Sequence, residues 1–172
     1  IAVDPGNRDR VYIGGVNVWG SDDGGATWDG MTYWRNTFGK SIHADQHFFA
    51  WQPGTDKLFV CNDGGLYVTA DPQIGSWNDA NNTPGYEWPT EWERISGKMQ
   101  VNSFYRIGTS AANPDYIVGG TQDNSTFYYT PAANEWRNFI GGDGMECLIH
   151  PDDPETIYGS YQYGTIIAVS YT

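Results

Sequence analysis

SDDGGATW, at Ser21–Trp28, is eight residues of concentrated turn chemistry. Asp23 and Ser21 can accept hydrogen bonds from the N–H groups of a turn. Gly24 and Gly25 supply positive φ at no steric cost. Trp28 offers a large flat ring to pack under the turn. Such a stretch predicts a tight hairpin between the two outer strands of a sheet. It gives Asp23 a structural part, not a catalytic one.

Outward from the octet, the chain repeats itself. IAVDPGNRDRVYIGG at 1, AWQPGTDKLFVCN at 50, IGTSAANPDYIVGG at 107 and LIHPDDPETIYGS at 148 share one plan. Each is a short apolar strand, a polar turn, and a second β-rich strand. Pro5, Pro53 and Pro151 fall in that first turn, where a missing N–H costs nothing. A third strand follows at 16–21, 65–70, 125–130 and 165–170, and a fourth is readable at 27–33, 91–96 and 135–140. Four strands in ~40–50 residues is the period of a β-propeller blade. The expected fold is therefore all-β: a β-propeller segment of about four blades, spanning 1–33, 47–96, 102–140 and 145–172 in a single partial domain. The fourth repeat carries no fourth strand, so the chain reads as part of a larger propeller whose remaining polypeptide is one of its partners. The other architecture with such spacing is a β-sandwich.

The octet fits S-x-D-x-G-x-T-W at Ser21, Asp23, Gly25, Thr27 and Trp28. That pattern resembles the Asp-box of sialidase-type and sortilin-type propellers. The wider phrases are 1–28, HADQH (43–47), NDGGLY (62–67), GGTQDN (119–124) and GGDGMEC (141–147). Together they resemble the BNR or sortilin-N-terminal-like propellers of secreted bacterial proteins, common in bacteria that use type IX secretion. The resemblance implies a secreted or cell-surface location. It does not fix the chemistry, because xyloglucanase-type glycosidases and photosystem-assembly propellers share the same blade phrase.

Composition narrows the partners. Of 172 residues, 16% are aromatic and only 17% charged, with 22 Gly, as all-β chains with many turns require. The net charge of −12 disfavours nucleic acid and anionic membranes. Cations, neutral sugars and basic proteins remain open. No run approaches the ~18 apolar residues of a membrane helix, so no membrane insertion is expected. Cys61 and Cys147 fall in non-adjacent blades, and no disulfide is expected between them.

With strands running A, B, C, D across each blade, A–B and C–D connections lie at one end and B–C and D–A connections at the other. The octet and the proline turns belong to the first, lower end. NDGG, TQDN and YQYG are B–C connections, whereas HADQH and GGDGME are D–A connections; all five belong to the upper end, where propeller ligands sit. Ligand-binding candidates there are His43, Asp45, His47, Asn62, Asp63, Gln122, Asp123, Asn124, Asp143 and Gln162, with Trp34 from the aromatic insertion at 32–42. His43, Asp45 and His47 alternate, so in one strand all three point the same way and could hold zinc or another borderline cation. The bland reading makes them a hydrogen-bonded strand entry tying neighbouring loops together. Asp63, Asp123 and Asp143 are turn formers. As functional groups they could bind calcium together with backbone carbonyls, or serve as catalytic candidates, acid and base on a glycoside. The upper motifs carry no arginine, which argues against a sialidase. A second insertion at 70–92 brings Trp77, Tyr86, Trp88 and Trp92, fit to dock a neighbour or cover its own blade. The favoured expectation is a non-catalytic segment binding glycan or protein at the upper end. Part of a glycoside hydrolase, or a purely architectural module of a surface assembly, are the alternatives.

Overall fold

The computed structural model describes residues 1–35, 42–72, 74, 90–97, 99 and 101–170. β-Branched and aromatic residues alternate with polar ones between Gly, Pro and Asn turns, and the chain answers with strands throughout. The first sheet holds β1 (Ala2–Asp4), β2 (Asn7–Gly14), β3 (Val18–Ser21) and β4 (Asp29–Gly30). The second holds β5 (Gln46–Trp51), β6 (Leu58–Asn62), β7 (Gly65–Thr69) and β8 (Glu93–Arg94). The third holds β9 (Phe104–Thr109), β10 (Ile117–Thr121), β11 (Thr126–Thr130) and β12 (Glu135–Ile140). The last holds β13 (Cys147–Ile149), β14 (Thr156–Tyr161) and β15 (Thr165–Ser170).

Strand order follows chain order in every sheet, and every neighbour is antiparallel. Successive up-and-down meanders of this kind are propeller blades. The fold is an all-β propeller segment which, among the described residues, has three four-stranded blades and a three-stranded fourth sheet.

The outer strands of the first two blades are shorter than the sequence pattern implied. In both, a hydroxyl takes over where the ladder ends. Thr32 Oγ1 accepts the Val18 N–H at 2.9 Å, and Ser96 Oγ accepts the Leu66 N–H at 2.9 Å. The same device in two blades keeps inner-edge N–H groups satisfied without strand pairing.

The chain forms two compact units, Ile1–Val101 and Asn102–Thr172. In the first, Tyr12 and Val18 meet Phe49, Leu58 and Val60 from the next sheet, with Met31 and Ile42 between them. Tyr12 is fully buried and donates its hydroxyl to the Pro72 carbonyl at 3.0 Å. Burial pushes its phenol pKa well above the usual range. In the second unit, Val118 and Tyr128 pack on Cys147, Ile149 and Ile157. Gly120 permits this approach: a Cβ there would lie 2.2 Å from the Met145 carbonyl oxygen. Each buried aliphatic or aromatic side chain contributes about 1.5–3 kcal/mol. Cys61 and Cys147 are free thiols.

Candidate functional site

The octet folds as its residues dictate. Gly24 and Gly25 have φ of 71° and 95°. Ser21 Oγ accepts the Gly25 N–H at 2.8 Å and donates to Asp23 at 2.7 Å. Asp23 accepts the Thr27 N–H at 2.8 Å and the Thr27 hydroxyl at 2.6 Å. The Trp28 indole N–H bonds the Gly25 carbonyl at 3.0 Å. Its ring lies 3.3 Å from where a Cβ on Gly25 would sit. The hydrogen bonds from Thr27 hold the Asp23 carboxyl well below the ordinary carboxylate range. Both carboxylate oxygens of Asp23 serve the turn between β3 and β4, at the lower end of the blade.

At the upper end of the first unit, the structure corrects one expectation. His43, Asp45 and His47 do not alternate along one strand. Strand β5 starts at Gln46, and Asp45 sits at φ 62°, in the left-handed region. The cause is docking onto the β2–β3 loop: the Asp45 N–H bonds the Val16 carbonyl at 3.2 Å, and the Gln46 N–H bonds the Gly15 carbonyl at 2.8 Å. The three side chains do not bring ligand atoms within 4.8 Å of one another. His43 instead packs against Gly64, where a Cβ would come within 2.4 Å of the His43 Cβ. His47 reaches the other way and bonds Asp63 at 2.5 Å.

Gln46, which the sequence pattern passed over, is the hub of this end. Its buried amide donates to the His43 carbonyl at 2.6 Å and to the Val16 carbonyl at 3.3 Å. Asn62 donates to the Gln46 amide oxygen at 3.2 Å and to the His43 carbonyl at 3.0 Å. Its own oxygen accepts the Gly64 N–H at 3.0 Å. So HADQH and NDGG are tied together as a strand entry. Trp34 is 44% exposed, its N–H held by Asn17 Oδ1 at 2.9 Å. The Arg35 guanidinium lies 4.7 Å over its ring and covers one face. Residues 36–41 of the 32–42 insertion, Phe38 included, and Trp77, Tyr86 and Trp88 of the 70–92 insertion lie outside the described residues.

At the upper end of the second unit, Asp143 is the hub. One carboxylate oxygen accepts the Asp123 N–H at 2.7 Å, and the other accepts the Gln162 amide at 2.8 Å. Three loops, β10–β11, β12–β13 and β14–β15, are thereby joined by one side chain. The Gly144 N–H bonds the Thr121 carbonyl at 2.9 Å, and the Ser125 N–H bonds the Gly142 carbonyl at 2.8 Å, adding two backbone ties. Asp123 and Ser125 both have positive φ, at 59° and 85°. Asn124 bends back to the Gln122 carbonyl at 3.3 Å. The Gln122 side-chain amide is exposed and makes no hydrogen bond among the described residues. Glu146 points outward and pairs with Arg106 at 3.3 Å.

Tyr163 is a residue that motif reading did not single out. It stands at the tip of the β14–β15 connection with φ 66°, followed by Gly164 at 74°. Its side chain is fully solvent-exposed, at 105%. Two successive left-handed residues are a turn signature when written Asn-Gly or Asp-Gly; Tyr-Gly conceals it.

No protein-family model matches the chain, and no curated protein sequence matches it. Among solved structures, it is similar to the GH74 xyloglucanase from Xanthomonas campestris at 18% identity and a TM-score of 0.36, covering 98% of this chain and 29% of that one. It is similar to the Myceliophteria thermophila Cps50 (Swd1) β-propeller domain at 13% identity and a TM-score of 0.35, covering 99% and 53%. An ancestral GH74 enzyme aligns at 16% identity and a TM-score of 0.32, covering 98% and 24%. The chain thus spans about a quarter to a half of the length of these proteins. Among the described residues, no helix is long and apolar enough to cross a membrane.

Proposed function

We propose that this chain is a non-catalytic propeller segment of an extracellular or bacterial cell-surface protein, and that it binds a glycan or protein ligand through the upper, B–C and D–A, loops of its blades. The observation that carries this reading is the use made of Asp143. Both of its oxygens are committed to hydrogen bonds that brace neighbouring loops. A general acid or base must exchange a proton with substrate, so that commitment argues against Asp143 in a glycosidase role. Bracing instead presets a loop surface, and a preset surface loses less entropy on binding. One oxygen of Asp63 is likewise engaged, by His47. The remainder of a longer polypeptide is the other partner this reading allows.

The test is a glycan array and a ligand-capture screen on the chain and on its Gln122→Ala, Asp123→Ala and Trp34→Ala variants. The expected result is at least fivefold weaker binding in the Gln122 or Asp123 variant. Undiminished binding in all three variants overturns the loop-end site. Hydrolysis of a captured glycan by the wild-type chain overturns the non-catalytic reading.

A further inference from the structure

We infer that Tyr163 is a stacking platform for a neutral sugar ring, with the Gln122 amide as its hydrogen-bonding partner. This rests on the loop-end reading above and names its ligand class. Three observations converge on it. The Tyr163 ring buries nothing against the rest of this chain, being 105% exposed. Its backbone nonetheless adopts φ 66°, which a bulky residue takes only against steric resistance. An aromatic ring held in a disfavoured conformation without burial returns nothing to folding, so its return lies in binding.

The backbone that carries the ring is anchored at the preceding residue. Gln162, the preceding residue, is fixed through its amide to Asp143 at 2.8 Å and lies against Gly142, where a Cβ would meet the Gln162 oxygen at 2.6 Å. The same Asp143 fixes the Asp123 N–H, and so the loop that carries Gln122. One carboxylate therefore braces the two loops that carry the ring and the amide.

The chemistry selects the ligand. A flat phenol ring stacks on the apolar face of a pyranose, and an amide offers a donor and an acceptor to vicinal hydroxyls. Neither group carries charge, and a chain of net charge −12 repels anionic sugars.

The experiment is an NMR titration of the full chain with neutral gluco-, galacto-, manno- and xylo-configured tetrasaccharides. At least one is expected to bind, with shifts at Tyr163 and Gln122. Tyr163→Ala is expected to weaken that binding at least tenfold, while Tyr163→Phe keeps it within threefold. Tyr163→Gly is expected to lose binding yet unfold at an equal or higher temperature, because glycine accepts the left-handed backbone. A ring that merely supported the loop would give the opposite pair of results. Binding of none of the four sugars overturns the inference. If Gln122→Ala weakens sugar binding and Tyr163→Ala does not, the platform falls and the loop-end reading stands. If neither variant weakens it, both fall.

Discussion

The two ends of the blades are held by different kinds of bond. At the lower end, most side chains serve their own turn, with Arg10 to Asp22 and Tyr12 to the Pro72 carbonyl as the longer reaches. Asp23 bonds residues two and four positions away, Thr156 bonds Asp153 three positions back at 2.7 Å, and Tyr129 bonds Asn134 five positions on at 2.6 Å. At the upper end, side chains join loops that are distant in sequence. His47 and Asp63 are 16 residues apart, Asn62 reaches 19 residues back to His43, and Asp143 holds partners 20 and 19 residues away. Local bonds set the conformation of a turn and little else. Distant bonds set the position of one loop against another, which is what a binding surface needs. Function is therefore sought where the bonds are long-range, and the conspicuous octet lies elsewhere.

The core common to both ends gives the largest effect. Leu58 is fully buried where β6 begins, and Leu58→Ala is expected to cost about 3 kcal/mol in urea unfolding of the chain. Next comes Asp143→Ala, which strips the acceptor from two donors; about 2–3 kcal/mol is expected. Hydrogen exchange should then rise at the amides of both neighbouring loops, residues 121–125 and 161–165. If exchange rose only within 141–146, the claim that Asp143 fixes distant loops would fail. Gly25→Ala comes third. It forces a Cβ into φ 95° and to within 3.3 Å of the Trp28 ring. The expected loss is about 1–2 kcal/mol, with exchange changes confined to 21–28.

Smallest is the response to acid at the lower end. Asp23 and Asp153 both have carboxyl pKa values held below the ordinary carboxylate range, each chiefly through a threonine hydroxyl hydrogen bond. A depressed folded-state pKa adds stability that is present above the unfolded value and is lost as pH falls through the folded one. The melting temperature should therefore fall as pH drops below about 4. The double variant Asp23→Asn, Asp153→Asn should flatten that slope. An equal slope in wild type and variant would show that acid acts through other groups.

Much of this was legible in the residues. The hydrogen bonds of Ser21, Asp23 and Trp28 were legible because their partners lie within four positions, whereas the Gly24 N–H bond to the Asp9 carbonyl and the Arg10–Asp22 pair were not. The third strands and the outer strand of the third blade fell where alternation placed them, since strand period is a property of neighbouring residues. The pairing of HADQH into a strand entry was legible as one of two readings. Alternation alone could not choose between them, because the choice depends on the Val16 and Gly15 carbonyls, some 30 residues back in the chain.

The sequence by itself determined the blades and their turns: which segments are strands, where the glycines must bend, and that Asp23 belongs to the turn chemistry. Only the tertiary structure decided that Asp45 turns left-handed, that Gln46 and Asp143 are hubs, and that the Tyr163 ring stands in solvent. The physical reason is range. Turn and strand preferences act between residues a few positions apart, whereas the hubs come from donors and acceptors that meet only after whole sheets have folded.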